Sequence, residues 1–177
     1  MAGYSELIYT LGAMIIFSMI LLTANRLTLR DARLQVEGEL EEEVVAVAQT
    51  IIEESRVLAF DEITEDGIPP VNAPDDFTYS SNFGTKRSDE GDESLNDRTS
   101  FTDFDDFDGW KDSITIEGIT YNLSAKVRYV NSSTYDSTSA KTNFKRIYVQ
   151  VRNEYLNKNG GKPIKYEFSY IRNYYAD

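Results

Sequence analysis

The chain has 177 residues and a formal net charge of -12, with no cysteine and no histidine. That composition excludes disulfides, thiol nucleophiles, the usual zinc ligands and a histidine general base, while the length allows one domain with its own core plus a long helix. The charge is uneven: residues 1–60 carry nine acids and four bases, residues 61–112 sixteen and four, and residues 113–177 five and ten. No basic stripe stands clear of acidic neighbours, so nucleic acid is not an expected partner, whereas complementary segments can steer copies of the chain toward one another.

The first element is an uncharged run of eighteen residues, Leu7 to Ala24, preceded by Glu6. As a helix it rises roughly 27 Å, near the lower end of what crosses a bilayer core. Met1 to Tyr9 contains no Lys or Arg, unlike the basic start of a secretory signal, and Arg26, Arg30 and Arg33 come only after the run. By charge alone those arginines favour a cytoplasmic C-terminal side. A carboxylate at the membrane end of an apolar helix is costly and calls for a partner.

Between Tyr4 and Phe60 there is no proline, and the only glycines are Gly12 and Gly38. Leu27, Leu34, Leu40, Val44, Ala48, Ile51, Ser55 and Leu58 recur at helical spacing, with most glutamates off that stripe. The pattern predicts one continuous helix roughly 85 Å long. Residues 1–26 form a hydrophobic half suited to a membrane or to other helices, and residues 27–60 form an amphipathic half. Gly12 is expected at a close helix contact.

Residues 61–112 are rich in Asp, Ser, Gly and Pro and read as a long irregular connection. Asp103, Asp105, Asp106 and Asp108 cluster there, and several carboxylate oxygens suit a hard cation, so calcium is the candidate ligand. Asp61, Glu62, Asp75 or Asp76 are candidates to contribute through space. The spacing is not an EF-hand, because Phe107 takes the fifth position counted from Asp103. The competing reading is a solvated turn whose acids cap backbone amides while Phe104, Phe107 and Trp110 anchor it.

Strand signals follow over residues 113–177. Ser113 to Ile116 leads through a Glu117-Gly118 turn to alternating Tyr121, Leu123, Ala125, Val127 and Tyr129. Phe144 to Leu156 is a further strand, and Asn159-Gly160-Gly161 is a hairpin turn before Ile164, Tyr166, Phe168 and Tyr170. The expected fold is α+β: a long N-terminal α-helix packed on a C-terminal antiparallel sheet of about four strands.

Asn122-Leu123-Ser124 and Asn131-Ser132-Ser133 match the N-glycosylation pattern, and residues 131–142 form a Ser/Thr-rich loop that is a candidate for O-linked sugar. For catalysis, Asp105 and Asp108 are an acid pair of the kind glycoside hydrolysis uses, but such pairs arise by chance in an Asp-rich loop. With no phosphate loop and no triad, an enzyme is not expected.

An apolar helix with Glu6 near its start, an amphipathic continuation and a C-terminal antiparallel sheet resemble the type IV pilin family and its pseudopilin relatives. Ala59-Phe60-Asp61-Glu62 and the stretch Phe104 to Trp110 also resemble segments of pilin-like minor prepilins. Family members carry a basic leader and Glu at the fifth mature position. No basic leader precedes Glu6 here; loss of Met1 alone would place Glu6 fifth, whereas cleavage after Gly3 would leave it third.

The resemblance implies a subunit held in the cytoplasmic membrane, then built by pilus assembly machinery into a helical homopolymer outside the cell. The sheet would be displayed for attachment or contact. Glu6 would pair with the N-terminal amine of a neighbouring copy, and Leu7, Leu11, Gly12, Ile15, Ile16, Met19 and Leu22 would form the shared core. The alternatives are a pseudopilin of a type II secretion-like machine and a monomeric membrane-anchored binding domain.

Overall fold

The computed structural model describes residues 2–67, 69–84, 97–158 and 162–176. The fold is α+β, with helix α1 (Ala2–Val57) and antiparallel strands β1 (Lys111–Ile116), β2 (Ile119–Val130), β3 (Ser137–Thr138), β4 (Phe144–Lys158) and β5 (Lys162–Asn173). The chain divides into two compact units, residues 1–42 and 43–177, both of which α1 enters.

In the second unit the end of α1 supplies a stripe of Val44, Val47, Ala48, Ile51 and Ser55, all buried. These positions share one helical face, which is why the glutamates between them stay in solvent. The expected stripe is longer than the packed one. Leu27 and Leu34 are 54% and 55% exposed, so they join the apolar surface of the first unit instead of a core.

The sheet order is β1-β2-β4-β5, with the two-residue β3 pairing the end of β2 as a fifth strand. Tyr121, Leu123, Ala125, Val127 and Tyr129 of β2 and Ile147, Val149 and Val151 of β4 are buried, as the period-2 alternation requires. Tyr121 donates its hydroxyl to the Glu43 carboxylate and so joins the sheet to the helix. The Glu117-Gly118 turn is as expected, with φ of 49° and 84° and Ile116 paired to Ile119. Positive φ at both central residues gives a two-residue hairpin whose twist matches the strands. The Asn159-Gly160-Gly161 turn lies outside the described residues.

The acidic connection is irregular with short elements, as expected. Its described residues include the short 3₁₀ turns Glu62–Thr64, Arg98–Ser100 and Phe104–Phe107. It also lays down core: Phe77, Phe83, Phe101, Phe104, Phe107 and Trp110 are all buried, as is Phe60 just before it. Phe101 and Trp110 both pack edge-on to Phe107, with centroids 4.9 and 6.1 Å away. Truncating a buried aromatic of this kind costs about 3–5 kcal/mol, so these residues hold the segment down despite its charge.

Candidate functional site

From Leu7 to Ala24, in the first unit, α1 presents apolar side chains all round. Leu7, Leu11, Ile15, Ile16, Met19 and Leu22 are each between 57% and 64% exposed. Four of the aliphatic hydroxyls along the helix are turned back on it: Thr10 donates to Leu7 O at 2.9 Å, Ser18 to Met14 O at 2.7 Å, Thr23 to Met19 O at 2.8 Å and Thr28 to Ala24 O at 3.1 Å. Each satisfies its donor internally, which removes the penalty a bare hydroxyl would meet in an apolar medium. Glu6 is exposed, and no atom would crowd a Cβ built on Gly12. The helix is long and apolar enough to cross a membrane, with none of its most apolar window buried.

The second unit holds the acidic residues, and it gives each a separate task. Asp103 caps the Phe104–Phe107 turn, its Oδ1 accepting from Asp105 N at 2.8 Å and Asp106 N at 3.1 Å. Asp106 returns the cap through Oδ2, which accepts from Thr102 N at 2.9 Å and Asp103 N at 3.2 Å. Asp108 Oδ1 accepts from Val127 N and from Arg128 Nη1, both at 2.9 Å, and so pins the segment to β2. Asp105 turns inward to Lys145. Among the described residues no group of three or more acids, histidines or cysteines is arranged to hold a metal ion.

Lys145 is the centre of the buried polar cluster. It stands in the inward phase of β4 with Ile147, Val149 and Val151, and its side chain is fully buried. Its Nζ donates to Phe60 O at 2.8 Å, to Asp61 Oδ2 at 2.7 Å and to Asp105 Oδ1 in a shorter contact. Asp61 is held in turn by Thr78, whose N–H lies 3.0 Å from Oδ2 and whose hydroxyl lies 3.0 Å from Oδ1. The rings of Phe60, Phe83 and Tyr129 line the ammonium at 4.8, 5.0 and 5.6 Å.

Burial pushes the Asp103 carboxyl up to about 8, with Asp105 and Asp106 adding to the effect and Lys145 opposing it. Burial likewise raises Asp105 to about 6 against the pull of Lys145. Desolvation wins in both because a lone ammonium does not compensate several carboxylates out of water.

No family model, curated protein or solved structure matches this chain. Functional reading therefore rests on the helix surface and on the cluster.

The expected cation set is only partly assembled. Asp61 and Asp105 do meet, as partners of one cation, and that cation is a side chain of the protein. Lys145, and Arg172, which is buried and donates to the Leu58 carbonyl at the end of α1, belong to no acidic motif. The available signal was phase: each is a cation at an inward position of an alternating strand, Lys145 before Ile147 and Arg172 after Tyr170.

At the other candidate site, Asn131, Ser132 and Ser133 are all exposed in the turn after β2. Asn131 Oδ1 accepts there from Ser133 N at 2.8 Å and Thr134 N at 3.2 Å. Asn122, in contrast, lies within β2 between two paired strands.

Proposed function

We propose that this chain is a structural subunit of an extracellular, type IV pilus-like filament, held in the membrane before assembly and polymerised through the first half of α1. The observation that carries the reading is the exposed apolar surface from Leu7 to Leu22, whose Thr10 and Ser18 hydroxyls are bonded back to the helix. Such a surface suits lipid and, equally, a bundle of its own copies. Packing one helix against the next through unlike faces repeats without closing, which generates a fibre. Glu6 acts as the register key. A carboxylate in an apolar bundle is costly unless a cation meets it, and the amino terminus of a neighbour meets it in one register only. The sheet unit is displayed outward for attachment or contact.

Electron microscopy of material sheared from cells expressing the chain tests this directly. Long filaments containing the protein are expected. A short fibre retained in the envelope would replace the reading with a secretion pseudopilin, and no assembly at any expression level would leave a monomeric membrane-anchored domain.

A further inference from the structure

The Lys145 cluster supports an inference independent of filament assembly. A fully buried lysine in an aliphatic phase, with two carboxylates on one nitrogen, is an expensive way to fill a core. The side chains of Lys145 and Asp61 are 0% exposed and that of Asp105 is 5% exposed. An amine and a carboxyl held together in a water-excluded pocket have a very high effective concentration. Condensing them removes two buried charges and leaves a neutral amide.

We propose that Lys145 Nζ and the side-chain carboxyl of Asp105 condense into an intramolecular isopeptide bond, with Asp61 as the proton relay.

The two acids divide the roles by their surroundings. Asp61 accepts from the Thr78 N–H and hydroxyl as well as from Lys145, which fixes it as an acceptor aimed at Nζ. Asp105 has the closer contact with Nζ, and its raised pKa populates the protonated form, whose carbonyl carbon is electrophilic. Asp103 is a positioning residue: by capping the turn at Asp105 N and Asp106 N it sets the backbone from which Asp105 reaches Lys145. Tyr129 closes the pocket, with its hydroxyl donating to Thr78 O at 2.6 Å.

The chemistry balances without any outside reagent. The Lys145 ammonium gives a proton to the Asp61 carboxylate, and the freed lone pair attacks Cγ of protonated Asp105. The C–N bond forms as the carbonyl electrons move to oxygen. Asp61 delivers its proton to the departing hydroxyl, so one water leaves as the C–O bond breaks, and the Asp61 carboxylate thus regenerated takes the second proton from nitrogen. Counted from an ammonium, a protonated Asp105 and the Asp61 carboxylate, the products are one amide, one water and a protonated Asp61, with no oxidant or reductant to supply. The bond ties β4 to the acidic segment across 40 positions of sequence and survives denaturation.

Tryptic digestion of the full-length denatured protein followed by tandem mass spectrometry decides the matter. The expected species joins residues 99–111 to residues 142–146, uncut after Lys145 and lighter than the two peptides together by one water. It should account for most of the protein and disappear in Lys145→Arg. Free peptide 142–145 in full yield would overturn the proposal, and a link to the peptide containing Asp61 would overturn the assignment of Asp105. Asp61→Asn keeps an oxygen toward Thr78 and should slow linkage at least tenfold in freshly made protein; linkage at the wild-type rate would overturn the relay. Because the decisive digest is of wild type, a variant that fails to fold does not blunt it.

Discussion

Arg172 near the end of β5 donates through Nη1 to the carbonyl oxygen of Leu58 at 2.6 Å, one residue past the last residue of α1. The same nitrogen reaches Ala59 O at 3.1 Å and Ser55 O at 3.5 Å. The carbonyls at a helix end have no intrahelical partner, and a cation there also meets the negative end of the helix dipole. This buried arginine therefore ends the helix and fastens it to the sheet in one contact set.

Arg172→Ala should accordingly lower stability by about 2–4 kcal/mol, since charge-assisted bonds are lost and buried acceptors are left bare. Urea unfolding followed by the single tryptophan, Trp110, would measure it. Arg172→Lys should recover only part, because a point charge cannot reproduce the planar fork. A midpoint unchanged in the alanine variant would remove this contact from the account of how the helix is held.

The Asp103 carboxyl lies at about 8 in the folded chain, whereas an unfolded aspartate lies near 3.9. The folded state thus binds more protons, so this contribution is complete below about pH 4 and is lost as pH rises through about 8. Stability should fall from about pH 5 to about pH 8, by an amount on the order of a few kcal/mol. Asp103→Asn retains an oxygen for Asp105 N and Asp106 N and should flatten that slope. An equal slope in both proteins would show that the Asp103 proton is not the cause.

Glu6→Ala and Glu6→Leu should leave a folded, membrane-inserted chain while reducing filament yield at least tenfold, because the register key is lost but the apolar surface is kept. Quantifying sheared filaments against total protein separates the two effects. Normal yield in both variants would remove Glu6 from the assembly mechanism.

A chain beginning at Gly38 should fold, remain soluble and melt within a few degrees of the full-length protein. The compact unit from Glu43 onward contains its own buried helix stripe, sheet face and aromatic layer. Circular dichroism and sedimentation would read fold and association. Aggregation or loss of the transition would mean that residues before Gly38 contribute to this core.

Chelators and millimolar calcium should leave the melting temperature unchanged. Asp103 and Asp106 are engaged by backbone amides, Asp108 by Val127 and Arg128, and Asp105 by Lys145. A ligand that bound only the native state would raise the transition in proportion to its occupancy. A rise with calcium would therefore restore the acidic segment as a cation site.

Local periodicity alone determined the long helix, its apolar first half, the alternating strands and the Glu117-Gly118 hairpin, because each depends on neighbours within a few residues. Turn chemistry and 3.6- or 2-residue patterns are written in the chain at that range. In the acidic segment the same reasoning reached the anchoring by Phe104, Phe107 and Trp110 and the acids that cap backbone amides, but not that Asp103, Asp105 and Asp106 are buried, that Phe77, Phe83 and Phe101 join the core, or that Asp105 and Asp108 go to Lys145 and Arg128. It also placed Leu27 and Leu34 on a packed stripe, since a pattern tells which face is apolar but not how far along a helix a partner extends. The meeting of Asp61, Asp105 and Lys145 was decided by tertiary structure alone. Those residues are 84 and 40 positions apart in their pairs, and only the docking of the segment onto β4 brings a buried amine against two carboxyls.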